Sequence, residues 1–234
     1  MKMLLANMKM NLSLEQINDY IERTRDFKDD IIVIPSSIYI PYFIKNNYRV
    51  GIQNISRFDN GAYTGDISAS QVKSMGVDYT LIGHSERRNI FNESLDDVRN
   101  KVIKALENNL KVILCIGESL EQKNNNLTEK VLNEQITSAL DGIDISNIII
   151  AYEPIYSIGT GIIPTNEEIE NVTSYIKKVV KELHNKDIDV LYGGSVNDKN
   201  IQSLKTIDNV SGFLIGGASL DPNKLLTMLN EVRQ

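Results

Sequence analysis

The chain has 234 residues, a length that fits one or two domains and that single barrel domains often reach. Its 25 Lys and Arg residues are outnumbered by 31 Asp and Glu residues. The net charge of −6 gives no overall attraction to polyanions, so we expect no nucleic-acid partner. Apolar residues make up 41% of the chain, a composition typical of a folded globular protein and not of a disordered one.

The few cysteines and histidines limit the chemistry further. The single Cys115 cannot form an intramolecular disulfide bond, and with His84 and His184 it falls short of a Cys/His zinc site. The longest apolar runs have four or five residues, far below the roughly 18 that a membrane span needs. We therefore expect a cytoplasmic protein that binds no metal and does not enter a membrane.

Short apolar runs recur along the whole chain and predict eight β-strands. The predicted strands are residues 3–6, 31–34, 50–52, 79–82, 112–116, 148–151, 190–192 and 213–215. Several of them are apolar throughout, as expected of strands in a parallel sheet that is covered on both faces.

Polar segments with helical spacing separate the predicted strands. Three of them open with a capping box, in which two side chains satisfy N–H groups at the start of a helix. These boxes are Ser13 with Gln16, Ser68 with Gln71 and Thr165 with Glu168. Eight strand–helix units fit a closed (β/α)₈ barrel or an open doubly wound sheet, and the spacing alone does not decide between them. No linker divides the chain, so we expect residues 1–234 to form a single domain.

Polar residues and glycines follow most of the predicted strands, where a parallel barrel places its active site. They are Asn7 and Lys9, His84 and Glu86, Glu118, Glu153, Gly193 to Ser195, and Gly216 with Gly217. Alone, Lys9 could be a solvated charge and His84 a structural histidine. The two glycine pairs either expose N–H groups to a phosphate or form tight turns with positive φ.

The motifs at these positions resemble those of the triosephosphate isomerase family, nearly from end to end. They are NMKMN at 7–11, GAYTGD at 61–66, IGHSERR at 82–88, AYEPI at 151–155, IGTG at 158–161, YGGSV at 192–196 and FLIGGASL at 213–220. Several are long and stand in the order found in the family, so the combination is highly specific. The resemblance implies a single (β/α)₈ TIM barrel.

The resemblance also implies a reaction of glycolysis and gluconeogenesis, the interconversion of dihydroxyacetone phosphate and D-glyceraldehyde 3-phosphate, with no cofactor. It implies that Glu153 is the base that moves a proton through an enediolate, that His84 is a neutral electrophile and that Lys9 is the cation beside the oxyanion. Asn7 would position the substrate, and Glu86 would support the site as a charged partner. The residues implied in phosphate binding are Gly159, Ser195, Gly216 and Gly217.

A homodimer is implied as well, in which the 61–66 loop enters the neighbouring subunit and brings Thr64 near the partner's Asn7 and Lys9. The chain departs from the family pattern at three places. Met8 stands where Trp is usual, Tyr156-Ser157 replace Trp-Ala, and Ile162-Ile163-Pro164 replace Lys-Thr-Ala. Pro164 has no N–H group, so it cannot donate the hydrogen bond that relatives make from this position to the tyrosine of the YGGS motif.

Two other functions stay open on the residues alone. A different phosphate-binding barrel enzyme, such as a sugar-phosphate epimerase, would share the glycine loops but would not need Lys9, His84 and Glu153 together. A non-catalytic relative that binds metabolites would need none of the three.

Overall fold

The computed structural model describes residues 2–158 and 162–233. Eight parallel strands, β1 to β8 in chain order, close into a barrel in which each strand pairs with its two neighbours. They are β1 Met3–Asn7, β2 Ile31–Ile34, β3 Arg49–Ile52, β4 Tyr79–Ile82, β5 Lys111–Ile116, β6 Ile148–Tyr152, β7 Val190–Tyr192 and β8 Gly212–Ile215. The predicted strands are confirmed, each end to within one residue, and so is the closed (β/α)₈ barrel that the resemblance implied, in place of the open-sheet alternative.

Helices connect the strands and cover the outside of the barrel. In the described residues they are α1 Leu14–Thr24, α2 Ile40–Lys45, α3 Ala69–Ser74, α4 Ser85–Ile90, α5 Leu95–Glu107, α6 Leu120–Asn124, α7 Thr128–Leu140, α8 Asn166–His184, α9 Ile201–Leu204 and α10 Pro222–Arg233. The three predicted capping boxes are confirmed, with both reciprocal hydrogen bonds in each. Two further boxes, at α5 and α6, also start with serine. The box at α5 was not predicted because Asp97 takes the place of the usual Glu or Gln.

The apolar core has two layers because successive strand residues point to opposite faces of the sheet. The larger layer packs between the strands and the helices. The smaller layer fills the barrel itself with Leu5, Ile32, Ile34, Tyr79, Leu81, Ile113, Cys115, Ala151, Leu191 and Leu214. Cys115 is a buried core side chain, as the sequence indicated, and burial raises the pKa of its thiol well above the ordinary value. A filled barrel leaves the strand ends as the place for a cavity.

One aromatic ring of the inner layer lies at the end of the barrel where the strands begin. Tyr79 starts β4, and its hydroxyl accepts a hydrogen bond of 2.7 Å from Arg49 at the start of β3. The ammonium of Lys111, at the start of β5, lies 5.4 Å from the centre of the same ring. The two cations therefore cover the polar tip and the face of a ring whose body fills the barrel.

Candidate active site

A cavity of about 290 Å³ opens where the strands end. Nine of the residues that the sequence singled out line it: Asn7, Lys9, His84, Glu153, Gly193, Gly194, Ser195, Gly216 and Gly217. Glu86 does not line this cavity but contacts Lys9. Thr64 is exposed on the 61–66 loop and is not part of the cavity lining. Gly159 lies outside the described residues.

Glu153 directly follows β6 and is 1% exposed. Its backbone N–H donates to the carbonyl of Ile116 across 2.7 Å, which continues the pairing of β6 with β5 by one residue. Its Oε2 accepts a hydrogen bond of 3.1 Å from the backbone N–H of Ser85, the first residue of α4. A Cβ atom at Gly193 would lie only 3.0 Å from Glu153 Cγ, so that glycine leaves room for the carboxylate side chain.

His84 is the N-cap residue of α4, and its ring is fixed by that helix. The backbone N–H of Glu86 donates to His84 Nδ1 across 3.2 Å. A backbone N–H only donates, so Nδ1 is the acceptor in this contact, an arrangement that leaves Nε2 as the ring nitrogen that can donate. Nε2 lies 3.1 Å from Glu153 Oε1. The ring thus presents an N–H donor beside the carboxylate.

Lys9 has a left-handed backbone conformation, with φ of 50°, which is unfavourable for a residue with a Cβ atom. Three hydrogen bonds hold it there. Its N–H donates to Asn7 Oδ1 across 3.0 Å, and its carbonyl accepts from Ser36 Oγ at 3.0 Å and Gln53 Nε2 at 2.8 Å. Sequence analysis missed Ser36 and Gln53 because no motif marks them; their role exists only once β2 and β3 lie beside β1.

The side chain of Lys9 extends between Glu86 and the loop after β8. Its Nζ is 2.6 Å from Glu86 Oε1. Its Cε would be 3.4 Å from a Cβ atom at Gly216, so it lies directly against that glycine. Because both partners of the ion pair are partly exposed, the pair orients the ammonium more than it stabilises the fold.

The glycine pairs after β7 and β8 do not need positive φ, so the tight-turn explanation fails for both. Close approach explains the first pair. A Cβ atom at Gly194 would lie 2.2 Å from the hydroxyl oxygen of Tyr192, which no side chain could tolerate. Gly217 has open space around it and begins a 3₁₀ turn, Gly217–Leu220, of which Gly216 is the N-cap residue; both glycines line the cavity.

Glu118 follows β5 but does not join the site. It is buried beside β6, where the hydroxyl of Tyr152 donates to its Oε1 across 3.0 Å. Burial raises the pKa of Glu118 above its ordinary value. Of the residues that depart from the family pattern, Met8 is fully buried and the Tyr156 hydroxyl accepts a hydrogen bond of 2.8 Å from Lys123. Both replacements therefore pack as large side chains.

Residues 2–158 and 162–233 contain neither a cluster of metal ligands nor a membrane-spanning helix. No group of three or more His, Cys, Asp or Glu side chains in these ranges is arranged to hold a metal ion. In the same ranges, no helix has the length and the apolar composition to cross a membrane.

Comparison with known proteins gives the chain its family. A family model described as triosephosphate isomerase matches residues 2–232. A triosephosphate isomerase of Clostridium botulinum (strain Loch Maree / Type A3) is 38% identical over 96% of this chain and 97% of its own length. The triosephosphate isomerase of Francisella tularensis subsp. mediasiatica (strain FSC147) is 35% identical over 100% of this chain and 98% of its own length. That of Mesomycoplasma hyopneumoniae (strain 7448) is 38% identical over 95% of this chain and 96% of its own length. The chain is an isomerase and belongs to the triosephosphate isomerase family.

Proposed function

We propose that the chain interconverts dihydroxyacetone phosphate and D-glyceraldehyde 3-phosphate by moving a proton between adjacent carbons through an enediolate. The observation that carries the proposal is that Lys9, His84 and Glu153, which follow three different strands, line one cavity together with glycines of the loops after β7 and β8. Family membership supports the same reaction. The proposed setting is the cytoplasm, in glycolysis and gluconeogenesis.

Glu153 is the proposed base. The carbon acid of the substrate is weak, and a positioned base contributes about 10²–10⁴ in rate to such a proton transfer. The carboxylate lies out of bulk water and is oriented by the Ser85 N–H, so water does not compete for it. It accepts the proton from one carbon and returns it to the next.

His84 and Lys9 are the proposed donors to the oxygen that gains charge in the enediolate. Each fixed donor to such an oxyanion contributes on the order of 3 kcal/mol. The neutral ring donates from Nε2 without needing to give up a charge, and Lys9 supplies a full positive charge. Asn7 is proposed to position the substrate, and Glu86 to orient the ammonium, in line with its 2.6 Å contact.

The phosphate is proposed to lie against Ser195, Gly216, Gly217 and Gly159, the last of which is outside the described residues. Backbone N–H groups in such loops bind an anion without a side chain. The chain's net charge of −6 does not prevent this, because distant charges are screened within about 8 Å at physiological ionic strength. The Lys9 ammonium, beside Gly216, sets the local field.

A coupled assay on dihydroxyacetone phosphate tests the proposal with the variant Glu153→Asp. We expect turnover by the wild type and a loss of about 10²-fold or more in kcat for the variant, because a shift of about 1 Å misplaces the base. Glu118→Asp is the matched control, since it shortens another buried carboxylate at a strand end that does not line the cavity, and it should retain wild-type kcat. Equal activity of Glu153→Asp and the control would remove Glu153 from the mechanism. If the wild type has no turnover, the protein is instead a different phosphate-binding barrel enzyme or a non-catalytic relative that binds metabolites.

We also propose a homodimer in which the 61–66 loop enters the partner. The loop is preformed: the rings of Phe58 and Tyr63 stack at 4.0 Å, and Ser56 Oγ donates to Asp66 across 2.7 Å. A second cavity, of about 410 Å³, lies beside Lys9 and is bordered by the exposed side chains of Met10 and Phe91. A projecting loop and an apolar-rimmed cavity are the two halves of a self-complementary contact.

Sedimentation across a concentration series, with activity measured on the same samples, tests the dimer. We expect a dimer that holds the activity and a less active monomer at the lowest concentrations. A fully active monomer would refute the proposal.

A further inference from the structure

Two hydroxyl groups are buried next to the proposed phosphate loop without a hydrogen bond. They are the side-chain oxygens of Ser157 and Tyr192, both in residues that are 0% exposed. Neither oxygen has a hydrogen-bond partner in the part of the chain that the structure describes. Both face Gly194: a Cβ atom there would lie 2.2 Å from Tyr192 Oη and 2.6 Å from Ser157 Oγ. The two oxygens are therefore neighbours on one side of that glycine.

The pair joins two segments of the site. Ser157 ends the 3₁₀ turn Ile155–Ser157, four residues after Glu153. Tyr192 ends β7, directly before Gly193 and Gly194. A bond between the two hydroxyls would tie the segment that carries the proposed base to the loop that is proposed to bind phosphate.

A buried hydroxyl without a partner is costly, and native proteins keep few of them. Alanine and phenylalanine would fill nearly the same space without that cost. Pro164, which is also buried, has no N–H and cannot satisfy Tyr192 from its backbone. Burial raises the pKa of Tyr192 to about 12, and the Ser157 side chain and the Ser195 N–H oppose this rise. Ser157 Oγ shares the space beside Gly194 with the phenol oxygen, so it is placed to pair with it.

We propose that Ser157 is a positioning residue that acts through Tyr192. When phosphate binds, the phenol O–H donates to Ser157 Oγ, and this hydrogen bond holds the loop of Gly194 and Ser195 in its binding position. The inference rests on the proposed function, because it assigns that loop to phosphate. Its energetic consequence is confined to binding: the bond tightens the hold on the phosphate and leaves the proton transfer at Glu153 unchanged.

The experiment uses Ser157→Ala, Tyr192→Phe and the double variant in the full chain. Each single variant removes one oxygen atom, and their thermal unfolding is compared with that of the wild type. Steady-state kinetics on dihydroxyacetone phosphate give kcat and KM, and inorganic phosphate as a competitive inhibitor gives Ki. Thr173→Val is the matched control, since it removes a buried hydroxyl in α8 that bonds only within its own helix, to Ile169 and Glu170.

We expect each single variant to raise KM and the phosphate Ki about tenfold, the value of one buried hydrogen bond, while kcat changes less than threefold. The double variant should be no worse than either single one, because the same bond is lost in all three. The control should match the wild type. A KM and Ki within twofold of the wild type for Ser157→Ala, or effects that multiply in the double variant, would overturn the inference.

Calorimetry with inorganic phosphate separates failure of this inference from failure of the proposed function. If the wild type binds phosphate but does not turn over substrate, the proposed reaction is wrong. The phosphate affinities of the wild type, the two single variants and the double variant then still show whether the two hydroxyls act together. If the wild type does not bind phosphate, the inference is wrong.

Discussion

The two ends of the barrel carry their polar groups in opposite ways. Where the strands begin, Arg49 and Lys111 are exposed and cover the ring of Tyr79. Where the strands end, Glu153 and His84 are buried, and Lys9 holds a strained backbone. Solvated cations lower the stability of the fold little, whereas buried polar groups and a positive φ lower it more. The end where the strands begin therefore serves stability, and the end where they finish serves the proposed chemistry at some expense of stability.

The largest expected effect on stability is at Tyr79. We expect Tyr79→Ala to lower the free energy of unfolding by about 3–5 kcal/mol, because it leaves a cavity inside the barrel. The folded enzyme should keep its kcat, since the ring is at the end remote from the proposed site. Denaturant unfolding and the coupled assay measure the two quantities. Tyr79→Phe, which keeps the ring, is the control. A large loss of kcat in correctly folded Tyr79→Ala would show that the two ends are not independent.

Lys9→Met tests the opposite end. We expect kcat/KM to fall by about 10²–10³-fold, the usual cost of removing one donor to an oxyanion. The free energy of unfolding should change by less than about 1 kcal/mol, because the Glu86 pair is partly exposed. Lys111→Met removes a lysine at the other end and should leave kcat/KM unaltered. If both variants lose activity alike, general electrostatics and not the position of Lys9 would be responsible.

Gln53→Ala removes one of the hydrogen bonds that hold the strained backbone of Lys9 and leaves its ammonium in place. The amide donates to the carbonyl of Lys9 and, at 3.1 Å, to that of Ile34. We expect kcat to fall about tenfold, since a small displacement of a catalytic group is costly. Ser36→Ala, which removes the other donor to the same carbonyl, should have a weaker effect of the same kind. Unchanged kcat in both would mean that the conformation of Lys9 does not depend on them.

The smallest expected effect concerns Glu118, the carboxylate at a strand end that is outside the site. Its pKa is raised by burial, so the folded protein binds its proton more tightly than the unfolded chain does. Stability must then fall as pH rises above 4.5, the ordinary pKa of the group, towards its folded pKa. We expect the wild type to lose stability relative to Glu118→Gln over that interval, measured by denaturant unfolding at several pH values. A difference that is constant with pH would contradict the assignment.

Much of the fold could be predicted because its signals are local. Strand bounds follow from apolar runs, and capping boxes follow from two side chains three residues apart, as Ser13 and Gln16 show. Glu153 and Glu118 both follow a predicted strand, so the sequence indicated both equally as candidate site residues. Only burial in different surroundings separates them: one lines the cavity beside His84, and the other bonds to Tyr152.

The sequence by itself determined the order of strands and helices, the glycines after β7 and β8, and the chemical groups that follow the strands, because each of these depends on neighbours in the chain. Two arrangements depend on the folded barrel: Ser36 and Gln53 bond to the carbonyl of Lys9, and the hydroxyl of Ser157 lies beside that of Tyr192. Such contacts join residues that are distant along the chain. They form only when the sheet closes and sets the register between strands, which no local pattern encodes.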